Sequence, residues 1–203
     1  SIPNPIDTKV YHPMDQGMAR ELLGLPSGKR LLLFGALNVT DKRKGIDYLI
    51  EALRRMEKQD VELVVFGQVK DDIRGLFPVP IHSMGYLSDE SKIVALYNAV
   101  DMFITSSLEE NLPNTIMESM ACGTPCVGFE IGGIPEMIDH RVNGYVANYK
   151  DAGDLANGIQ WVLEHEDRLA LSDACVKKVQ ENYTEEVVAK QYTALYEKLL
   201  KGE

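Results

Sequence analysis

Apolar positions follow two alternating patterns along the chain. The first is a short unbroken run: RLLLFGA (30–36), VELVVFG (61–67), IHSMGYL around Ile81, DMFITS (101–106) and PCVGFE (125–130). A run with no polar alternation predicts a strand buried on both faces. VNGYVA reads as a turn into a short last strand. The second pattern has helical period. KGIDYLIEALRRMEK (44–58) sets Ile46, Leu49, Ile50 and Leu53 on one face. Ser88 is suited to cap a helix through Ile93, Leu96 and Tyr97. NTIMESMAC predicts another helix, and three helical segments around Ile159, Val176 and Leu195 end the chain.

Strands alternating with helices predict a parallel sheet covered on both faces, a doubly wound α/β domain. Ligands of such sheets bind at the carboxyl ends of the strands. The opening SIPNPIDTKVYHP is rich in proline and turn residues, so residues 1–14 are expected to be an extended connector and 15–203 one domain. A chain of 203 residues, 45% hydrophobic, can bury a full core. Its net charge of −10 argues against a general role on nucleic acid or anionic membrane. No apolar run reaches membrane-spanning length and nothing resembles a signal peptide. Cys122, Cys126 and Cys175 lack metal spacing and are expected to be reduced core residues of a cytosolic protein. His12, His82, His140 and His165 form no catalytic or metal-binding pattern, and Trp161 is expected in the core. The last helix carries Val187, Val188, Leu195 and Leu199 and is expected to pack on protein, within this chain or outside it.

Three stretches concentrate polar chemistry just after predicted strands. In GALNVTDKRKG (35–45), Lys42, Arg43 and Lys44 follow a glycine-containing loop and precede a helix. A glycine lets a phosphate approach the backbone, and a helix amino end favours anions. A solvated basic turn has the same composition. The stretch is neither a Walker loop nor a GxGxxG fingerprint. In EENLPNTIME (109–118), Asn111 is placed to cap the helix and Pro113 to open it, leaving the backbone N–H groups of Leu112 and Asn114 toward the cleft. Glu110 and Glu118 flank this helix start. Carboxylates suit vicinal hydroxyls of a ribose or sugar. Helix-dipole stabilisation explains Glu110 as well, and a solvated helix position explains Glu118. In FEIGGIPEMI (129–138), the paired glycines read as a structural turn.

Taken together, these motifs closely resemble the carboxy-terminal half of family 4 retaining glycosyltransferases of GT-B architecture. The resemblance spans nearly the whole chain, from IPNPIDTKVYHP through KGIDYLIEAL to EENLPNTIMESMACGTPCVGFEIGGIPEMI and NGYVA, with the family's E-x7-E pair at Glu110 and Glu118. It implies a Rossmann-like domain that binds a nucleoside-diphosphate sugar. It implies that Glu118 holds the ribose hydroxyls and that Glu110 lies near the transferred sugar. Backbone amides at Leu112 and Asn114 would bind that sugar or the diphosphate, and Lys44 and Arg43 would grip the diphosphate. His82 falls where the backbone meets the base. No metal or other cofactor is expected.

One position departs from the pattern: many relatives carry Arg directly after the first glycine, where this chain has Ala36. The resemblance also implies an absent amino-terminal domain that supplies most contacts to a sugar or lipid-linked acceptor. The chain, which begins at Ser1, is expected to be an excised domain, inactive alone, whose last helices pack on that domain. A role in polysaccharide or glycolipid synthesis is expected, in the cytoplasm or peripheral at the inner membrane face. Two other classes share features with this reading: a sugar-nucleotide epimerase or phosphorylase of the same architecture, and a non-catalytic nucleotide-binding module. Intact Lys44, Glu110 and Glu118 argue against the second.

Overall fold

The computed structural model describes residues 2–38, 41–56, 60–68 and 74–201. Six parallel strands form its sheet: β1 (Arg30–Asn38), β2 (Val61–Gln68), β3 (Ile81–Gly85), β4 (Met102–Thr105), β5 (Cys126–Phe129) and β6 (Gly144–Ala147), in the order β3-β2-β1-β4-β5-β6. Around it lie α1 (Gln16–Leu23), α2 (Ile46–Arg55), α3 (Glu90–Ala99), α4 (Asn114–Ala121), α5 (Ile134–Met137), α6 (Ala152–Leu163), α7 (Arg168–Asn182) and α8 (Glu185–Lys201). This is the Rossmann-like, doubly wound α/β arrangement that the alternating pattern predicts.

The unbroken apolar runs are explained by two core layers. Leu32, Phe34, Leu63, Val65, Ile104 and Phe129 pack under α2 and α6. Leu31, Leu33, Val64, Phe103 and Cys126 face α1, α3, α4 and α7. Because successive strand residues point to opposite faces, a strand between two helical layers has no position that faces water. Cys122, Cys126 and Cys175 are buried and free, and burial pushes the thiols of Cys122 and Cys126 up to about 12. Trp161 is only half-buried, set edge-on to His165 with ring centroids 5.0 Å apart.

The helix after residue 44 begins at its first apolar position, Ile46: Gly45 is left-handed (φ 61°) and separates a 3-10 turn at Lys42–Lys44 from α2. Elsewhere the elements differ from expectation in three places. Asp89, not Ser88, caps α3: its carboxylate accepts from the N–H of Ser91. A carboxylate one residue nearer the helix outcompetes the hydroxyl. α1 falls where no element is expected, although its stop and start signals are present. Asp15 accepts from Met18 N–H and left-handed Gly24 ends the helix. The opening segment is extended but not loose. Ile6 is buried and bridges Thr184, its N–H donating to Tyr183 O at 2.9 Å, and Met14 N–H donates to Asn98 Oδ1 at 2.8 Å.

Candidate functional site

β1 and β4 are neighbours, yet the helices that follow them lie on opposite faces of the sheet. Their two following loops must diverge, and the crevice between them is the topological switch point where open α/β sheets bind ligands. Each loop is held by the other. Asp41 caps the 3-10 turn by accepting from Arg43 N–H. Ser106 Oγ then donates to Lys44 O at 2.9 Å, and Leu108 N–H donates to Arg43 O at 2.7 Å. Gly45 is required here twice over: its φ is positive, and a Cβ would meet Ser106 O at 2.0 Å.

This stitching brings Lys44 to Glu110 across 66 residues of chain. Nζ lies 2.5 Å from Oε1, with the lysine side chain 32% exposed and the glutamate 13%. The pair is too shielded for a free surface ion pair and too open for a core one. It lines a recess with Arg43, Glu109 and Asn111. Behind Glu110 stand the paired glycines of the loop after β5. A Cβ at Gly132 would meet Glu110 O at 2.0 Å, and one at Gly133 would meet Asn111 O at 2.5 Å. Gly133 N–H donates to Asn111 O. FEIGGIPEMI is therefore a structural turn, and its glycines let the Glu110 loop sit against it.

α4 begins at Asn114, with Pro113 as the residue before its first turn and no side-chain cap. Asn111 does not cap it. Pro113 is extended (ψ 117°) and displaces the helix start two residues further than Asn111 could reach. Among the described residues, the backbone N–H groups of Leu112 and Asn114 donate to nothing. They accordingly remain free donors at a helix amino end, where the dipole favours an anion. Asn114 is exposed, Leu112 half-buried against Gly133, and Asn114 Oδ1 accepts from Asn4 Nδ2 at 3.3 Å.

Glu118 follows Asn114 by one helical turn on the same face. Its Oε2 accepts from the Tyr97 hydroxyl at 2.8 Å. Burial pushes this carboxyl above its ordinary range, the Tyr97 hydrogen bond holds it back, and Glu90 nearby adds to the rise. The arrangement thus supplies a cation, two carboxylates and free backbone donors at one strand end.

Not every expected residue joins this group. Arg43 lines the recess, but its guanidinium is engaged by Asp41 (Nη2–Oδ2 2.7 Å), which holds the Asp41 carboxyl down to about 2. His82 stands on edge strand β3, two strands from β1, and its side chain hydrogen-bonds to none of these residues. It occupies the second position of β3, three residues and about 10 Å short of the carboxyl end. Its ring pairs instead with Glu62, at the second position of β2, Nε2 to Oε2 2.6 Å. In register His82 lies opposite Val64, and its ring reaches back to Glu62, two residues nearer the amino end of β2. The side chain of Ala36 lies outside the described residues, as do Val39 and Thr40. Tyr97 and Ser106 complete the site without being foreseen. A buried tyrosine on a helix reads as core, and nothing in its spacing points to Glu118. Among the described residues, no three His, Cys, Asp or Glu side chains cluster as a metal ion would need, and no helix is long and apolar enough to cross a membrane.

Residues 28–165 match the family described as Glycosyl transferases group 1. N-acetyl-alpha-D-glucosaminyl L-malate synthase of Bacillus anthracis is 25% identical over 206 residues, covering 98% of this chain and 54% of the relative. Among solved structures, sucrose-phosphate synthase from Thermosynechococcus elongatus superposes with a TM-score of 0.82 at 25% identity, covering 100% of this chain and 53% of its own. The C-terminal domain of a glycosyl transferase group 1 family protein from Francisella tularensis gives 0.73 at 21% identity, covering 89% and 99%, a likeness of fold. The chain spans about half the length of the curated relatives it matches.

Proposed function

Because the chain belongs to the Glycosyl transferases group 1 family, we propose that it is the donor-binding half of a retaining GT-B glycosyltransferase that moves a sugar from a nucleoside diphosphate to an acceptor hydroxyl. One observation carries this reading: Lys44 and Glu110 meet at the switch point of the sheet, beside the free donors that open α4. An anion entering there takes Lys44 away from Glu110 and frees the carboxylate for the sugar hydroxyls. Leu112 and Asn114 N–H groups receive the diphosphate or sugar, Arg43 swings from Asp41 to add charge, and Glu118 accepts from the ribose. The base meets the backbone of β3 between His82 and its carboxyl end at Gly85.

The chemistry follows from where charge grows. When the bond between the sugar and the β-phosphate oxygen breaks, negative charge accumulates on the leaving diphosphate. Lys44, Arg43 and a helix amino end stabilise that charge more in the transition state than before it. On this reading the site works without a metal ion. Residues 1–14 form the connector to the amino-terminal half, which brings a sugar or lipid-linked acceptor, and α8 docks on that half. An epimerase of the same architecture is not favoured, since the side chains of Glu110 and Glu118 hydrogen-bond to Lys44 and Tyr97 and to no histidine among the described residues. The test is nucleoside diphosphate release by the protein with both halves present, in EDTA, from UDP-, GDP- and ADP-sugars. Release from one of them, abolished in Glu110→Gln and in Lys44→Ala, is expected. Release that requires added metal, or survives both substitutions, contradicts the reading.

A further inference from the structure

Glu118 is held from below. Tyr97 on α3 is 1% exposed, its ring set edge-on between Phe66 (centroids 6.3 Å, 81°) and Phe103 (6.0 Å, 82°). Its backbone carbonyl accepts from Thr124 Oγ1 at 2.7 Å. Both ends of the residue are therefore fixed, one by two strands and one by the segment that follows α4. A buried phenol needs a hydrogen-bond partner, and Glu118 supplies it. The geometry also runs the other way. The ring is held on both sides, so its hydroxyl oxygen sits at one place and Oε2 of Glu118 is drawn to it. Oε1 has no partner among the described residues.

We propose that Tyr97 is a positioning residue for nucleotide recognition: its hydroxyl anchors Oε2 of Glu118 so that Oε1 is presented to the vicinal hydroxyls of a ribose, and this sets a preference for ribonucleotides over 2′-deoxyribonucleotides. The proposal rests on the assignment of Glu118 to the ribose. Its consequence is specific because the carboxylate must stay charged to accept two hydroxyls. The groups around Glu118 work against that. Glu90 at the start of α3 adds negative charge, Tyr11 of the opening segment and Cys122 at the end of α4 are neutral neighbours, and burial removes water. The Tyr97 hydroxyl is the group that favours the charged form. Removing it leaves burial and Glu90 unopposed, so Glu118 should titrate at higher pH.

Tyr97→Phe keeps the ring and deletes the hydroxyl, and two readouts follow from it. The first needs no ligand: the side-chain carboxyl of Glu118, followed by 13C NMR against pH, should show its midpoint moved upward in the variant. The second is calorimetric affinity for UDP, GDP and ADP against their 2′-deoxy counterparts. Wild-type chain should prefer the ribonucleotide about tenfold, one charge-assisted hydrogen bond's worth, and Tyr97→Phe should reduce that to about twofold. An unchanged midpoint with an unchanged preference overturns the positioning role and leaves Tyr97 as packing. If the preference survives in Tyr97→Phe but is lost in Glu118→Gln, the proposal alone fails. If wild type shows no preference and Glu118→Gln binds as wild type does, the ribose assignment fails and takes the proposal with it.

Discussion

Glu118 illustrates a conflict between site and stability at the level of one residue. Its folded-state pKa is raised by burial, so the folded chain holds this proton at pH values where the unfolded chain has released it. Stability therefore falls as pH rises through that interval, and the penalty is fully present above it. Glu118→Gln should raise the melting temperature at pH 7.5, and the gain should shrink toward zero below the ordinary value of 4.5; thermal unfolding by circular dichroism across pH reads both. Asp101 is the opposite case. At 2% exposure it accepts from Arg20, Arg30, Arg168 and the N–H of Leu31. Asp101→Ala strands a buried guanidinium and should cost about 3–5 kcal/mol in a urea unfolding titration. Neither arrangement was visible beforehand. DMFITS announces a strand and says nothing of three arginines from positions 20, 30 and 168 meeting at its first residue. Glu110 and Lys44 could be named from a resemblance, but their 2.5 Å contact depends on loop packing that residue spacing does not encode.

Among the elements, the strands were readable because burial on both faces leaves an unbroken apolar run, and helix α2 because its apolar face keeps one period. Caps were less so. Ser88 and Asp89 are both good caps, and the choice between them is made by local geometry; Asn111 lost to a proline two residues on. α1 is hard to read from the pattern because its outward face carries Met18 and Leu22, both exposed, which blurs its period. The loop after β1 makes the sharpest element-level prediction. Gly45→Ala places a Cβ against Ser106 O at a left-handed position and should cost about 2 kcal/mol or more, while weakening nucleotide binding by displacing Lys44. If the variant binds as wild type does, the loop does not position Lys44. At the other end, α8 exposes Tyr196, Leu199 and Leu200. If that stripe docks on an amino-terminal half, Leu199→Ser with Leu200→Ser should change the stability of this chain by less than about 0.5 kcal/mol in a urea unfolding titration. A large loss of stability would mean that α8 packs inward.

For the molecule as a whole, the proposed function has one centre: Lys44, Glu110 and the start of α4, which meet at the switch point of a parallel sheet and are proposed to bind an anion without a metal. Everything assigned to the donor depends on it, because the diphosphate is the part of a sugar nucleotide that carries the charge. The direct measurement is calorimetric titration of this chain with UDP, GDP and ADP in EDTA, repeated on Lys44→Ala. Saturable binding of one nucleotide, weakened about tenfold or more in the variant, is the predicted result. Binding of equal strength to both proteins, or binding that appears only when a divalent metal is added, would contradict the account at its centre.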